Sequence, residues 1–126
     1  MRKKHVLVHR NTGEPNKNGD VYAKGCNIIL PEKSFNIKHK SRNITIGKAE
    51  NISIENDNMY ADIKLTVPFV YLFGRHIGPT FEILEPEYDP TKDFDEQIKE
   101  PLTKVKLLEF QLIEKPADPC IDKIKE

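Results

Sequence analysis

The chain has 126 residues, enough for one domain whose hydrophobic core needs neither disulfides nor metal. Twenty basic and twenty acidic side chains cancel, which removes the simplest basis for non-specific binding to nucleic acid. We therefore expect a single domain over residues 1–126 and no specific nucleic-acid partner.

The spacing of cysteines and histidines and the length of the apolar runs argue against disulfide-bonded, metal-binding, cofactor-binding and membrane-spanning proteins. Cys26 and Cys120 lie far apart, with no histidine at metal-ligand spacing, so neither a disulfide nor structural zinc is expected. His5, His9 and His76 are scattered, so no metal triad and no cofactor is expected. No apolar run reaches signal-peptide or membrane-spanning length, which predicts a protein soluble in the cytoplasm where it is made, without a membrane partner.

Alternating apolar residues predict five strands, at residues 6–9, 43–54, 59–65, 80–84 and 102–113. The second and third strands form a predicted β-hairpin with one buried face. The apolar residues that share parity along these two strands are Ile44, Ile46, Ile52 and Ile54, then Met59, Ala61, Ile63 and Leu65.

The segments between the strands differ in composition. The turn-rich residues 11–20 predict a long loop, whereas residues 21–38 have mixed periodicity and stay unassigned. The apolar residues 69–78 are compatible with a short helix that ends at Gly74. Residues 85–101 are acidic and interrupted by prolines, a composition typical of a solvated excursion.

The last predicted strand has apolar side chains on both faces. Leu108, Phe110 and Leu112 share one parity, and Val105, Leu107 and Ile113 lie on the other face. This pattern indicates a central strand. We therefore predict a mainly β fold, a compact antiparallel β-barrel or closed sheet with one or two short helices.

Three side chains are candidates for chemistry. His39 precedes a strand, where an imidazole can take a proton from a hydroxyl, although the alternative is a solvated surface histidine. Thr80 is either a nucleophile or a strand hydroxyl, and no serine follows Ser53. Glu109 interrupts an apolar strand, either to orient a histidine or as a glutamate at the strand rim.

Four blocks of sequence, taken in order, resemble the tailed-phage prohead (capsid maturation) proteases, whose fold is related to that of the herpesvirus assemblins. They are "NKNGDVYAKG", "IKHKSRNITIGKAENISIENDNMYADIKL", "IGPTFEIL" and "VKLLEFQLIEKPADP", and they span about residues 6 to 119. The resemblance implies that His39 occupies the position of the general base and Thr80 that of the nucleophilic serine. Glu109 lies on the strand that closes the catalytic core of the family.

The departure at Thr80 implies a catalytically degenerate member of this family. The extra methyl group of threonine restricts χ1 and crowds the attack trajectory. Glu82 also brings negative charge beside the place where an oxyanion would develop. We therefore expect little or no peptidase activity.

The resemblance implies an auxiliary or structural protein of the phage head. It would bind the major capsid protein or other head proteins, with homo-oligomers on the capsid as an option, and would occupy the virion after assembly in the host cytoplasm. The expected contact regions are loop 10–20 and the excursion 85–101. Two alternatives stay open: an active maturation protease that cleaves scaffold and capsid proteins with His39 and Thr80, and an unrelated β-rich binding domain.

Overall fold

A computed structural model describes residues 3–125, in which seven strands form one mixed sheet. The strands are β1 (Lys3–Arg10), β2 (Tyr22–Ile29), β3 (Ser34–His39), β4 (Ile44–Glu55), β5 (Asn58–Leu65), β6 (His76–Glu85) and β7 (Leu102–Ile113). A 3-10 helix (Phe69–Leu72) follows β5, and a single helical turn, α1 (Phe94–Gln97), precedes β7. The prediction of a mainly β fold with short helices is confirmed.

The last strand, β7, is the centre of the sheet, as predicted. The strand order is β1-β5-β4-β3-β7-β2, and β6 also pairs with β7. β2 lies along the first half of β7 and β3 along the second half, both parallel to it, while β6 runs antiparallel along its length. β7 therefore pairs directly with β2, β3 and β6.

The prediction of an antiparallel barrel or closed sheet is wrong, because the sheet is mixed and open. β1 and β6 approach each other, but both edges bond to the C-terminal segment, residues 121–125. The Asp122 N–H donates to the carbonyl of Leu7 at 3.0 Å, and the Asp122 carboxylate accepts from the Leu7 N–H at 2.8 Å. Lys123 forms a β-bridge with His76 on β6. This segment lies where the closing strand pair of a barrel would form.

The predicted hairpin is β4 and β5, but only β5 buries the predicted face. Met59, Ala61, Ile63 and Leu65 are all buried, as expected. On β4, Ile46 is buried, whereas Ile44 and Ile54 are exposed. Ile44 and Ile54 lie at the two ends of β4, where less of the fold covers them, and Ile54 pairs with buried Met59. The alternation of β4 is also interrupted, because its pairing with β5 shifts register between Glu50 and Ser53, where Asn51 has a positive φ of 52°.

A similar irregularity in β7 changes which side of the sheet its side chains occupy. Pairing with β6 shifts register at Leu108, so Leu107 and Phe110 are both fully buried and Leu108 is exposed. The predicted assignment of Leu107 and Phe110 to opposite faces is therefore wrong.

Two strands, β2 and β3, lie in the segment that stayed unassigned. The 3-10 helix lies in the predicted helical stretch, and Gly74 follows it with a φ of 87°. Buried side chains from β1 to β7 and the C-terminal segment form one core, with Phe110, Ile37 and Met59 among the largest fully buried residues. Cys26 is buried and Cys120 exposed, and both thiols are free.

Candidate functional site

Thr80 and Glu109, two of the predicted site residues, are cross-strand partners on β6 and β7. Directly paired residues of antiparallel strands project to the same side of a sheet, so the structure brings these two positions together. The Thr80 Oγ1 atom is buried and has no hydrogen-bond partner within the described chain. No base therefore contacts this hydroxyl.

His39, the third predicted site residue, lies elsewhere in the sheet. It ends β3, which joins β7 on the edge opposite to β6, so β7 separates His39 from Thr80. With neighbouring strands spaced by about 4.8 Å, the two strands that carry them lie about 10 Å apart. His39 Nδ1 is 3.0 Å from Ser41 Oγ, a hydroxyl that the sequence did not single out. The roles assigned to His39, Thr80 and Glu109 stay predictions.

A second histidine, His9, is one of the buried polar residues of the fold. Its Nε2 is 2.8 Å from Asn11 Oδ1, and its ring meets Tyr22 and Phe81 edge-on at 4.5 and 5.0 Å between centroids. Burial is the main cause that lowers the pKa of His9, and burial also raises the pKa of Tyr22 to about 12. Both side chains are therefore neutral at pH 7.

Two adjoining cavities, of about 530 and 400 Å³, share His9 and Tyr22 in their walls. Arg10 closes this region by donating two hydrogen bonds to the Asp118 carboxylate, at 2.7 and 2.8 Å. The Arg10 guanidinium is the main cause that lowers the pKa of Asp118. The Lys17 N–H donates to the carbonyl of Ala117 at 3.0 Å, which ties loop 10–20 to the chain after β7.

This polar cluster fixes the loop, and His9 is hydrogen-bonded to Asn11 rather than to the free thiol of Cys120, which lines the same cavity of about 530 Å³. The nitrogen that bonds Asn11 is already satisfied, and Asp118 is occupied by Arg10. Sequence reasoning missed the Arg10–Asp118 pair because its members are 108 positions apart and neither belongs to a local motif. In the sequence, only the turn-rich composition of loop 10–20 pointed to this region of the molecule.

A third cavity, of about 500 Å³, lies beneath the acidic excursion. Its lining combines apolar side chains with carboxylates: Asp20, Ile83, Leu84, Pro86, Glu87, Tyr88, Gln97, Ile98, Glu100 and Leu102. Four large apolar side chains in this region are more than half exposed, namely Ile83, Tyr88, Phe94 and Ile98. We call these four residues the docking patch.

The excursion that carries the docking patch is held by its own hydrogen bonds. The Gln97 amide accepts from the Asp89 N–H and donates to the Asp89 carbonyl, both at 2.7 Å. Asp93 caps α1 by accepting from the Asp95 N–H at 2.9 Å. The rings of Tyr88 and Phe94 meet edge-on at 5.9 Å. The excursion is therefore a structured platform, which its polar composition did not indicate.

Among residues 3–125, no group of three or more His, Cys, Asp or Glu side chains is arranged to hold a metal ion. In the same part of the chain, no helix is long and apolar enough to cross a membrane. Comparison with protein families, curated proteins and solved structures yields no match to this chain.

Proposed function

We propose that this protein is a non-catalytic binding module of a tailed-phage head, with a degenerate prohead-protease-like fold, that docks on the major capsid protein. The observation that carries the proposal is the docking patch: Ile83, Tyr88 and Ile98 are exposed and line a cavity of about 500 Å³, and exposed Phe94 packs against Tyr88. The phage context rests on the resemblance of the four sequence blocks.

The arrangement of the predicted catalytic positions supports a binding role over a catalytic one. General base catalysis requires the base within about 3 Å of the hydroxyl, or one water away. The Thr80 hydroxyl is buried without a partner in the described structure, and His39 bonds Ser41 instead. A peptide would need to reach a hydroxyl that the protein itself encloses.

The docking patch has the composition of a protein-binding surface. Exposed clusters of large apolar side chains with a polar rim mark interfaces, and tyrosine is enriched among residues that dominate binding energy. Glu87 and Glu100 line the same cavity and supply an acidic rim. The partner surface that fits is an apolar projection flanked by lysine or arginine.

Both predicted contact loops contribute to this region. Asp20, at the end of loop 10–20, lines the cavity together with residues 86–100 of the excursion. Since the internal bonds of the excursion order it before binding, little conformational entropy is lost on docking. Many copies on a symmetric capsid would add avidity to a weak single contact.

The proposal is tested by measuring binding of the purified chain to the major capsid protein encoded beside it. Tyr88→Ser is expected to weaken binding by about tenfold or more, since it removes a central aromatic contact. Tyr71→Ser is the matched control, because Tyr71 is 70% exposed and Tyr88 61% exposed, and Tyr71 lies outside the docking patch. Equal affinity of both variants and the unmodified chain, or no binding at all, would contradict the proposal.

A further inference from the structure

A cationic cleft lies where the β3–β4 turn, residues 40–43, approaches the start of β6. Its volume is about 430 Å³, and its lining consists of His39, Lys40, Ser41, Arg42, Arg75, Leu112 and Glu114. Neither the docking patch nor the Thr80 position contributes to it. The cleft is therefore a separate feature of the molecule.

The sheet register explains why these residues meet. Lys38 on β3 lies beside Gln111 on β7, and Leu112 on β7 pairs with Ile77 on β6. The end of β3, the end of β7 and the start of β6 therefore share one end of the sheet. Arg75 is fixed there because its carbonyl accepts from the N–H of Ile124 at 2.7 Å.

The turn itself is held by short-range bonds. The Arg42 N–H donates to the carbonyl of His39 at 3.2 Å, and the Asn43 N–H donates to the carbonyl of Lys40 at 3.1 Å. Asn43 adopts a positive φ of 51°, a conformation that asparagine tolerates in turns. These contacts present the side chains of residues 40–42 on one rigid turn.

The cations in the cleft outnumber the carboxylates. Lys40 and Arg42 form no ion pair within residues 3–125, and Arg75 has only Glu114, at 3.6 Å. That distance is longer than a charge-assisted hydrogen bond, and the Glu114 side chain is 75% exposed. The guanidinium groups thus keep donors available, and their mutual repulsion would be relieved by an anion.

We propose that this cleft binds a phosphate-type oxyanion through Arg42 and Arg75, with Lys40 and Ser41 as additional donors. The planar fork of arginine matches a tetrahedral oxyanion with two parallel hydrogen bonds, and lysine adds a point charge. When the Nδ1–H of His39 donates to Ser41 Oγ, 3.0 Å away, the Ser41 hydroxyl proton is free to donate to the anion.

The phosphate could come from a free phosphate ion or from the backbone of a polynucleotide, which present the same chemistry to the cleft. The chain as a whole carries no net charge, so binding to a polynucleotide depends on this local cluster. The two sources are separated by using inorganic phosphate and a short oligonucleotide as probes.

The test is an NMR titration of the full chain with inorganic phosphate at constant ionic strength. We expect saturable shifts of the Arg42 and Arg75 Nε–H signals and of the His39 ring at phosphate concentrations up to about 10 mM. The double variant Arg42→Gln, Arg75→Gln is expected to weaken phosphate binding by about tenfold or more. The control Lys33→Gln, Lys48→Gln removes the same charge at exposed positions outside the cleft and is expected to bind normally.

The oligonucleotide arm identifies the source. Competition between the oligonucleotide and phosphate for the same signals would support a polynucleotide backbone as the ligand, and phosphate shifts without competition would support free phosphate. Shifts that do not saturate, or that are the same in the arginine variant and the lysine control, would overturn the proposal.

Discussion

The Thr80 hydroxyl is a buried polar group without a hydrogen-bond partner in the described chain. Leaving such a group unpaired costs about 1–3 kcal/mol, so Thr80→Val is expected to raise the free energy of unfolding by about 1 kcal/mol in urea denaturation. Thr66→Val is the matched control, because the Thr66 hydroxyl donates to the Ile46 carbonyl at 3.0 Å. Loss of this hydrogen bond in Thr66→Val should lower the free energy of unfolding. A decrease of similar size in Thr80→Val would refute this account.

A serine at position 80, where the sequence resemblance to prohead proteases implies a nucleophile, should leave the chain inactive. Thr80→Ser removes the crowding methyl group, but it moves neither the hydroxyl out of the interior nor His39 across β7. We expect no cleavage of tailed-phage capsid and scaffold proteins offered as substrates, as followed by gel electrophoresis. Cleavage by the unmodified chain or by Thr80→Ser, abolished by His39→Ala, would establish the protease.

Two buried histidines predict loss of stability in mild acid. Burial is the main cause that lowers the pKa of His9 and of His76 below the ordinary value of 6.5. As the pH falls below 6.5, the unfolded chain gains protons before the folded one. Stability is therefore complete above pH 6.5 and declines as the pH falls toward the folded-state pKa values.

The measurement is urea denaturation at several pH values between about 7.5 and 5, where one withheld proton corresponds to about 1.4 kcal/mol per pH unit at most. The Arg10–Asp118 pair does not contribute to the change in stability between about pH 7.5 and 5. Because the pKa of Asp118 is lowered, the stability that this pair supplies is lost only below the ordinary value of 3.8. His9→Gln should flatten the profile. An unchanged slope in that variant would exclude His9 as a cause.

The C-terminal segment is the element that holds the two edges of the open sheet together. Its Ile124 side chain is only 1% exposed, and its backbone bonds Arg75 and Gly74 at 2.7 and 2.8 Å. Ile124→Ala should lower the free energy of unfolding by about 2–5 kcal/mol, a range typical of buried isoleucine. Val70→Ala is the control, since Val70 is 60% exposed and should change stability by less than about 0.5 kcal/mol. Equal stabilities of the two variants would show that the segment is dispensable.

Strand prediction succeeded where register is regular and failed where bulges interrupt it. β5 alternates without interruption, so Met59 and Ile63 could be assigned to the core from the sequence. β2 contains Gly25, with a φ of 78°, inside a register shift that removes the alternation. β2 and β3 pair in parallel with β7, which is distant in the chain. The local sequence of a strand does not predict its pairing with a strand so far away in the chain.

In the candidate site too, local features could be predicted from the sequence and the arrangement of distant strands could not. The sequence predicted His39, Thr80 and Glu109 as site residues by residue type and order, but the sheet order that separates His39 from Thr80 depends on β3, one of the two strands in the unassigned segment. The docking patch was hidden because the composition of residues 85–101 is dominated by carboxylates and prolines. Its apolar residues become one surface only when the excursion folds.

The molecule carries no net charge, but its two ends carry charges of opposite sign. Residues 85–101 carry seven carboxylates and two lysines, and they connect the end of β6 to the start of β7. The cationic cleft lies at the other end of the same two strands. Raising NaCl from about 0.05 to 0.5 M should therefore weaken phosphate binding more than capsid-protein binding, because salt screens only the exposed acidic rim of the docking patch, which contributes little, and does not screen its apolar contacts. Equal salt sensitivity in calorimetric titrations would contradict the division into two sites.

The central claim, that the chain is a structural component of the phage head and not an enzyme consumed in its maturation, is tested most directly by quantitative mass spectrometry of purified virions. We expect the intact chain at a copy number comparable to that of the major capsid protein, since the capsid surface that binds the docking patch would be repeated on every capsid subunit. Absence of the chain from mature particles, or its presence only as self-cleaved fragments, would contradict the account and favour the maturation protease.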